Sequence, residues 1–448
     1  MNAPRTLAAA DHAWLRMDSP ENLVVIHLAF VFAAEQTLAA VRHRLHTQLA
    51  RYHQFTHRVQ RGWLRAHWVA DAAFSIDRHL GELHLPPGSG SKELKDWMSG
   101  EACKPLADDR PLWLATLVHG VDGRSAVVMR VHHGLADGVS LMDLISGMTE
   151  IADGAPLVTP AHASPREDLN AGVLLRRAPS VLADALQMLF MRRDRPSRIK
   201  GRPGRHKSVA WSDALSLEAT RDMAHRHGAT VNDVMLAVIA GALRHHLQAQ
   251  GQTRIAAPVR TVIPMNMRPR GDAHLLGNQF GLVGLELPVH VAEPLQRLHA
   301  VRDGMNALKR GFQGQLALAL VRLAGLLPLR LQQAVLGIFS RRCSVIVTNV
   351  IGPAEARSVA GVRLDELMLC VPQGMTVGVG VSIISYDGML RIGFLVDNKL
   401  MPDSAAAAAS IRGCFEQLRR AACALPAAPN VPTSDPFWSS AMGEISAP

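Results

Sequence analysis

A proline-rich and strongly basic stretch interrupts the chain near its middle, and it limits the fold more than any other feature. Residues 155–210 contain LVTPAHASPRED, then a helix-like segment, GVLLRRAPSVLADALQMLFMRR, and then the run RRDRPSRIKGRPGRHK. Such composition reads as a linker between two halves. The 448 residues are too many for one core and suit two domains of roughly 200 residues each. We therefore read residues 1–155 as an N-terminal domain, 156–210 as a basic linker or crossover, 211–425 as a second domain, and 426–448, rich in Pro, Ala and Ser, as a loosely held tail. A chain of this kind usually places its site between the halves.

Both halves mix strand-like and helical runs, which predicts an α/β protein with mixed sheets. LVVIHLAFVFA is strand-like, and TLAAVRHRLHTQLARYH has helical period. LWLATLVHGV and SAVVMRVHH are joined by VDGR, whose Asp122-Gly123 is a hairpin signal. From Gly138 the period switches to helical over VSLMDLISGMTEIADG, with Gly154 as its expected end. In the second half GATVNDVMLAVIAGALRHHLQAQ predicts a long helix starting near Thr230. TVIPMNMRP, GLVGLEL, CSVIVTNV, TVGVGVSIISY and MLRIGFLVDN predict strands, the last two around a second turn at Asp387-Gly388.

Composition narrows the partners. A net charge of +10, carried mostly by Arg, favours polyanions such as nucleic acid, anionic lipid or phosphorylated cofactors. Aromatics are only 4%, and no helix-turn-helix, finger or RNP-like segment supplies base stacking or readout, so nucleic acid is set aside. Cys103, Cys343, Cys370, Cys414 and Cys423 are scattered, with no CxxC or paired Cys/His spacing; they read as reduced core residues of a cytoplasmic protein, not as a disulfide frame or metal site. The N-terminus lacks the apolar run of a signal peptide. The longest apolar segment, residues 316–339, is broken by Arg322, Pro328 and Arg330 and does not meet the requirement for a membrane span. Residues 172–207 and 316–342 are candidate contacts with a membrane or lipid-body surface. For the first, Arg192, Arg193, Arg195, Arg198, Lys200, Arg202 and Arg205 either meet anionic lipid or form a solvated crossover; for the second, ordinary helix packing is the competing account.

The residues closest to chemistry are in MRVHHGLADG, where an apolar strand ends on two imidazoles. Consecutive strand residues point to opposite faces, so His132 and His133 cannot both enter one cavity, which argues against a shared metal. One imidazole, with an ordinary pKa near 6.5, is then a candidate general base. Gly134 permits a sharp departure, and Asp137 falls where it caps the next helix and pairs with an Arg. A single His among 21 is more often structural than catalytic; two of them with Gly and Asp-Gly at a strand-to-helix junction favour chemistry. No G-x-S-x-G elbow or nucleophile-like cysteine is present, which favours direct transfer over a covalent acyl-enzyme.

His132, His133, Asp137 and Gly138 match the HHxxxDG motif of the coenzyme A-dependent acyltransferases. Together with DHAWLRMDSPENLVVIHLAFVF, WVADAAFSIDRHL, RPLW, VNDVMLAVIAGALR, TVIPMNMRP, LGNQFG, TNVIGP and YDGMLRIGFLVDN, in that order, the chain resembles the bacterial wax ester synthase/diacylglycerol acyltransferase family. The resemblance implies two chloramphenicol acetyltransferase-like domains with a channel between them. It implies an O-acyltransferase acting on fatty acyl-CoA and a fatty alcohol or diacylglycerol at a membrane or lipid-body surface, with acyl-CoA as co-substrate and no permanently bound cofactor or metal. His133 would be the general base, His132 its supporting neighbour and Asp137 a structural anchor, while Gly138 keeps the passage open. Pro111, Leu112 and Trp113 match the PLW motif, where packing competes with substrate contact. Asn232 and Asp233 match the ND motif, where helix capping competes with support of the site. Ile351 stands where the family's NVPGP stretch has its first Pro, which loosens a turn.

Overall fold

The computed structural model describes residues 5–62, 65–152, 194–267 and 278–424. The tail at 426–448 and residues 156–193 of the expected linker, with Arg192 and Arg193, lie outside them. Two seven-stranded sheets dominate. The first runs Leu80–His84, Trp113–Val121, Arg124–His132, Val25–Phe32, Val362–Cys370, Arg357–Val359 and Glu150–Ile151 in spatial order. All its pairings are antiparallel except that of Leu80–His84 with Trp113–Val121. Val25–Phe32 is buried along its whole length, which is why it reads as an unbroken apolar run instead of an alternating one. Asp122 and Gly123 have φ of 52° and 73°, the left-handed pair that a two-residue hairpin turn requires.

The second sheet orders Leu215–Ser216, Met389–Asp397, Val379–Tyr386, Val345–Ile351, Val259–Asn266 and Phe280–Leu287, with Lys207–Trp211 pairing along Met389–Asp397. Asp387 and Gly388 repeat the left-handed turn, at φ 47° and 69°. Val259–Asn266 and Phe280–Leu287 alternate buried and half-buried residues, so one face packs on a core and the other is open. That core is filled by the helix Val231–Ala249, whose Thr230–Asp233 capping box fixes its start. Pro294–Arg310 and Ser404–Cys423 pack around it.

The limits read at 211–425 are not the limits of the sheets. Arg357–Val359 and Val362–Cys370, although they come late in the chain, belong to the first sheet. Val362–Cys370 covers the hydrogen-bonding edge of Val25–Phe32, an apolar edge that would otherwise stand open. It also touches the second sheet, where Ser382 Oγ donates to Leu369 O. The helix expected to reach Gly154 stops at Met148, because Glu150 and Ile151 are taken up by pairing with Ser358 and Arg357. The apolar segment 316–339 forms two helices, Gln313–Leu326 and Leu329–Ser340, parted at Pro328. Among the described residues no helix is long and apolar enough to cross a membrane.

Candidate active site

The strand Arg124–His132 ends at the first histidine, and the chain turns so that the two rings separate. The buried His132 ring accepts a hydrogen bond from Gly134 N at Nδ1 (2.9 Å), which leaves its proton on Nε2, 3.1 Å from Asp18 Oδ2. Burial pushes the Asp18 carboxyl up, but the hydrogen bond from His132, the Val24 N–H and the field of Arg61 together hold it below the usual carboxylate range. His132 therefore braces the turn from behind, and a Cβ at residue 134 would lie 2.7 Å from Leu15 Cγ and 3.1 Å from His132 Nδ1.

His133 faces the other way, into a cavity between the two sheets. Its ring stacks on Trp14, centroids 4.6 Å apart and planes 14° from parallel, with Phe280 tilted against it at 5.5 Å. Its Nδ1 lies 2.9 Å from Asn278 Oδ1. Burial lowers the imidazole's pKa below 6.5, and the hydrogen bond to its own backbone, the Asp137 charge and the Asn278 bond only partly oppose this. Asp137 caps the helix Gly138–Met148: its Oδ1 accepts from Ser140 N (3.0 Å) and Ser140 Oγ (2.9 Å). Its Oδ2 accepts from Gln279 N at 3.3 Å, a tie into the other sheet's strand approach. Asp137→Ala removes a helix cap, typically worth about 1 kcal/mol or somewhat more, together with that tie. A melting temperature lower by several degrees and a reduced rate are expected in thermal unfolding and turnover assays; unchanged melting would contradict the anchoring role.

Gly138 borders the cavity, and a Cβ there would sit 2.9 Å from Val350 Cγ2. Asn232 lines it as well, its Oδ1 accepting from Asn349 Nδ2 at 3.1 Å, while Asp233 turns back to accept from Thr230 N at 2.9 Å. The two members of that dipeptide thus do different things. Ile351 extends its strand by pairing with Ser385 and puts its side chain on the cavity wall. Pro111, Leu112 and Trp113 are not brought there: Trp113 is fully buried, stacks on His79 and donates to Phe55 O (2.9 Å), while Leu112 O accepts from His132 N. The residues not anticipated are Trp14, Phe280, Asp11 and Asn278. All fall in stretches (DHAWLRMD and LGNQFG) whose individual roles the sequence left open.

The cavity walls are chiefly apolar, from Met17, Leu282, Val321, Phe339 and Leu369 among others. A single water needs roughly 10–15 Å³, and the cavity offers about 260 Å³. An extended alkyl chain can therefore lie in it. Cys343 is on the wall, but burial pushes its thiol up to about 11, which makes it a poor nucleophile. Cys370 is buried and pushed up to about 12, whereas Cys423, expected in the core, is exposed. Away from the cavity, Glu82, His84 and His119 bring ligand atoms within 4.8 Å of one another. Both ring nitrogens of His119 are already matched to carboxylates, Glu35 at 2.6 Å and Glu82 at 3.0 Å, an arrangement that favours a proton.

Comparison with known proteins identifies the relatives of this chain. Residues 7–192 match the wax ester synthase/diacylglycerol acyltransferase catalytic domain, and residues 276–419 match the C-terminal domain of the same family. A Mycobacterium tuberculosis protein named as a diacylglycerol O-acyltransferase is 30% identical over 336 residues, covering 67% of this chain and 71% of its own. Another from the same organism is 24% identical, with 78% and 81% covered. The wax ester synthase/diacylglycerol acyltransferase from Marinobacter aquaeolei VT8 superposes with a TM-score of 0.70 at 18% identity, covering 94% of this chain and all (100%) of that one. The first condensation domain of the calcium-dependent antibiotic synthetase gives 0.63 at 19%, covering 95% and 98%. The fold is thus the two-domain α/β architecture that these proteins share, with the HHxxxDG motif on the wall between its sheets, and the chain belongs to the wax ester synthase/diacylglycerol acyltransferase family and is an acyltransferase.

Proposed function

We propose that the protein transfers a long-chain acyl group from fatty acyl-CoA to a fatty alcohol or a diacylglycerol, with His133 as general base and without a covalent acyl-enzyme. The observation that carries this reading is the placement of one imidazole, held by stacking and hydrogen bonds, on the wall of an apolar passage. The acceptor hydroxyl gives its proton to His133 Nε2 as its oxygen attacks the thioester carbon. The tetrahedral intermediate then expels the coenzyme A thiolate, which takes the proton back from the imidazolium. The raised thiol pKa of Cys343 supports direct transfer over an acyl-cysteine. Each methylene buried in the passage contributes about 0.8 kcal/mol, which suits a long chain. The starter condensation domain of rhizomide synthetase, solved in complex with C8-CoA, shares the fold at a TM-score of 0.60 and 15% identity, in line with an acyl-CoA donor. On this reading acyl-CoA is a co-substrate, and neither a resident cofactor nor a metal takes part. Purified protein given palmitoyl-CoA with hexadecanol, then with a diacylglycerol, should release free thiol; release with neither acceptor would refute the reading.

The same reading places the protein peripherally on a membrane or lipid body. Leu323, Leu326, Leu329, Leu331 and Ile338, each 43–58% exposed, sit on the helices Gln313–Leu326 and Leu329–Ser340. Exposed Arg322, Arg330 and Arg341 lie among them, and the opposite faces of both helices line the cavity. Apolar side chains beside arginines suit an anionic lipid surface next to the passage that lipid substrates use. In the basic stretch, Arg195, Arg198, Arg202 and Arg205 are exposed as well. Burying one leucine contributes about 1.5–3 kcal/mol, so the double substitution Leu326→Ser, Leu331→Ser should weaken cosedimentation with anionic vesicles tenfold or more. Turnover of a short, soluble alcohol should stay near the parent value. Unchanged vesicle binding would reject this face.

A further inference from the structure

We propose that Asp11 and Asn278 form a positioning pair that fixes which ring nitrogen of His133 carries the proton. The inference rests on His133 being the base and adds the residues that make it one. Asn278 is buried at the point where the chain re-enters the second sheet, and its side chain makes three contacts. Its Nδ2 lies 2.8 Å from Asp11 Oδ1 and 2.8 Å from the carbonyl oxygen of His133, and its Oδ1 lies 2.9 Å from His133 Nδ1. Its backbone N–H also donates to Asp11 Oδ1, at 2.9 Å.

Hydrogen-bond chemistry allows one reading of this set. A carboxylate and a carbonyl can only accept, so both must face the NH2 end of the amide, whose two hydrogens they consume. The amide oxygen is then the atom turned toward the ring, and it can only accept as well. His133 Nδ1 must therefore hold the proton, and Nε2 is left with the lone pair. If the amide were reversed, its NH2 would claim the Nδ1 lone pair and force the proton onto Nε2, leaving no base there. Asp11 is what forbids the reversal. Among the described residues, the titratable groups that bear on the ring are Asp137 and His132 on its own segment, with Asp11 behind Asn278; Lys309, on the helix Pro294–Arg310, lines the same cavity. A hydrogen bond from the ring to the backbone of His133 itself acts in the same sense, and among the side chains of the described residues Asn278 alone places an acceptor within 3.5 Å of Nδ1.

Neither residue lines the cavity. Asn278→Ala should thus lower kcat by ten- to a hundredfold while leaving KM for both substrates within about twofold. Because the Asn278 bond raises the imidazole's pKa, its loss should also move the acidic limb of kcat/KM to lower pH. The tautomer itself is read by nitrogen NMR of 15N-histidine-labelled protein, with the His133 signals assigned by their loss in His133→Ala. The parent should show Nδ1 protonated and Nε2 bare, and Asn278→Ala and Asp11→Ala should show a mixture. An unchanged tautomer and unchanged kcat in both variants would overturn the pairing while leaving the base assignment standing. Normal turnover in His133→Ala would instead overturn the base assignment. Should Asn278→Ala unfold, Asp11→Asn keeps the shape and tests the same orientation.

Discussion

His133→Ala is expected to abolish acyl transfer, with kcat falling by about a thousandfold or more, while the protein stays folded. A positioned general base contributes roughly 10²–10⁴-fold, and among the described residues no other imidazole shares the cavity wall. The ring is held by Trp14 on one side and Asn278 on its edge, and it takes part in no strand ladder, so its loss opens space without unpairing backbone. Melting should shift by only a few degrees. The pH profile follows from the same burial. An imidazole pushed below 6.5 stays neutral, and therefore basic, as the medium is acidified past the point where a free histidine has become charged. The acidic limb of kcat/KM should accordingly lie below pH 6.5; a limb above that value would mean that a different group limits the reaction.

Gly325→Val is expected to be severely damaging although it lies away from the reacting atoms. A Cβ at residue 325 would stand 1.8 Å from Ala9 O, a backbone atom that cannot swing aside. The helix Gln313–Leu326 meets the helix Ala9–Leu15 there, and His12 Nδ1 is 3.0 Å from Gly325 O. Further links follow along the seam: Arg16 donates to Leu327 O at 2.8 Å and Gln332 to Ala13 O at 2.8 Å. Ala9–Leu15 carries both Trp14 and Asp11, so any displacement reaches the ring of His133. Overpacking typically costs about 1–3 kcal/mol, sometimes more; the variant should melt several degrees lower and lose most of its turnover. Gly413→Ala is the control. Gly413 lies exposed on the helix Ser404–Cys423 with nothing within 4 Å of the added Cβ. That change should raise stability by about 0.5–1 kcal/mol. If both substitutions behaved alike in thermal unfolding, the close helix contact would be disproved.

What could be read in advance was what short-range chemistry determines. The Asp-Gly turns at 122–123 and 387–388 need only two residues with positive φ, and the cap at Thr230 needs only its own first turn. The separation of His132 from His133 followed from strand geometry alone. The strand Val362–Cys370 was not legible, because VRLDELMLC exposes charged residues at its start and becomes continuously buried only where two sheets enclose it. The cradle of His133 was hidden for a different reason. Asn278 lies 145 residues from the ring and 267 from Asp11, and nothing local marks an asparagine before a strand as the partner of either. Helix Gly138–Met148 ended early for a reason equally remote, the pairing of Glu150 and Ile151 with strand Arg357–Val359 some two hundred residues on.

The late return of the chain to its first sheet ties the two ends of the sequence into one ladder. A fragment cut in the basic stretch would keep Val25–Phe32 but lose the strand that hydrogen-bonds its outer edge, leaving an apolar ladder of bare N–H and C=O groups open to any passing neighbour. In this respect the two sheets depend on one stretch of chain, because the segment that follows Val345–Ile351 of the second sheet returns to complete the first.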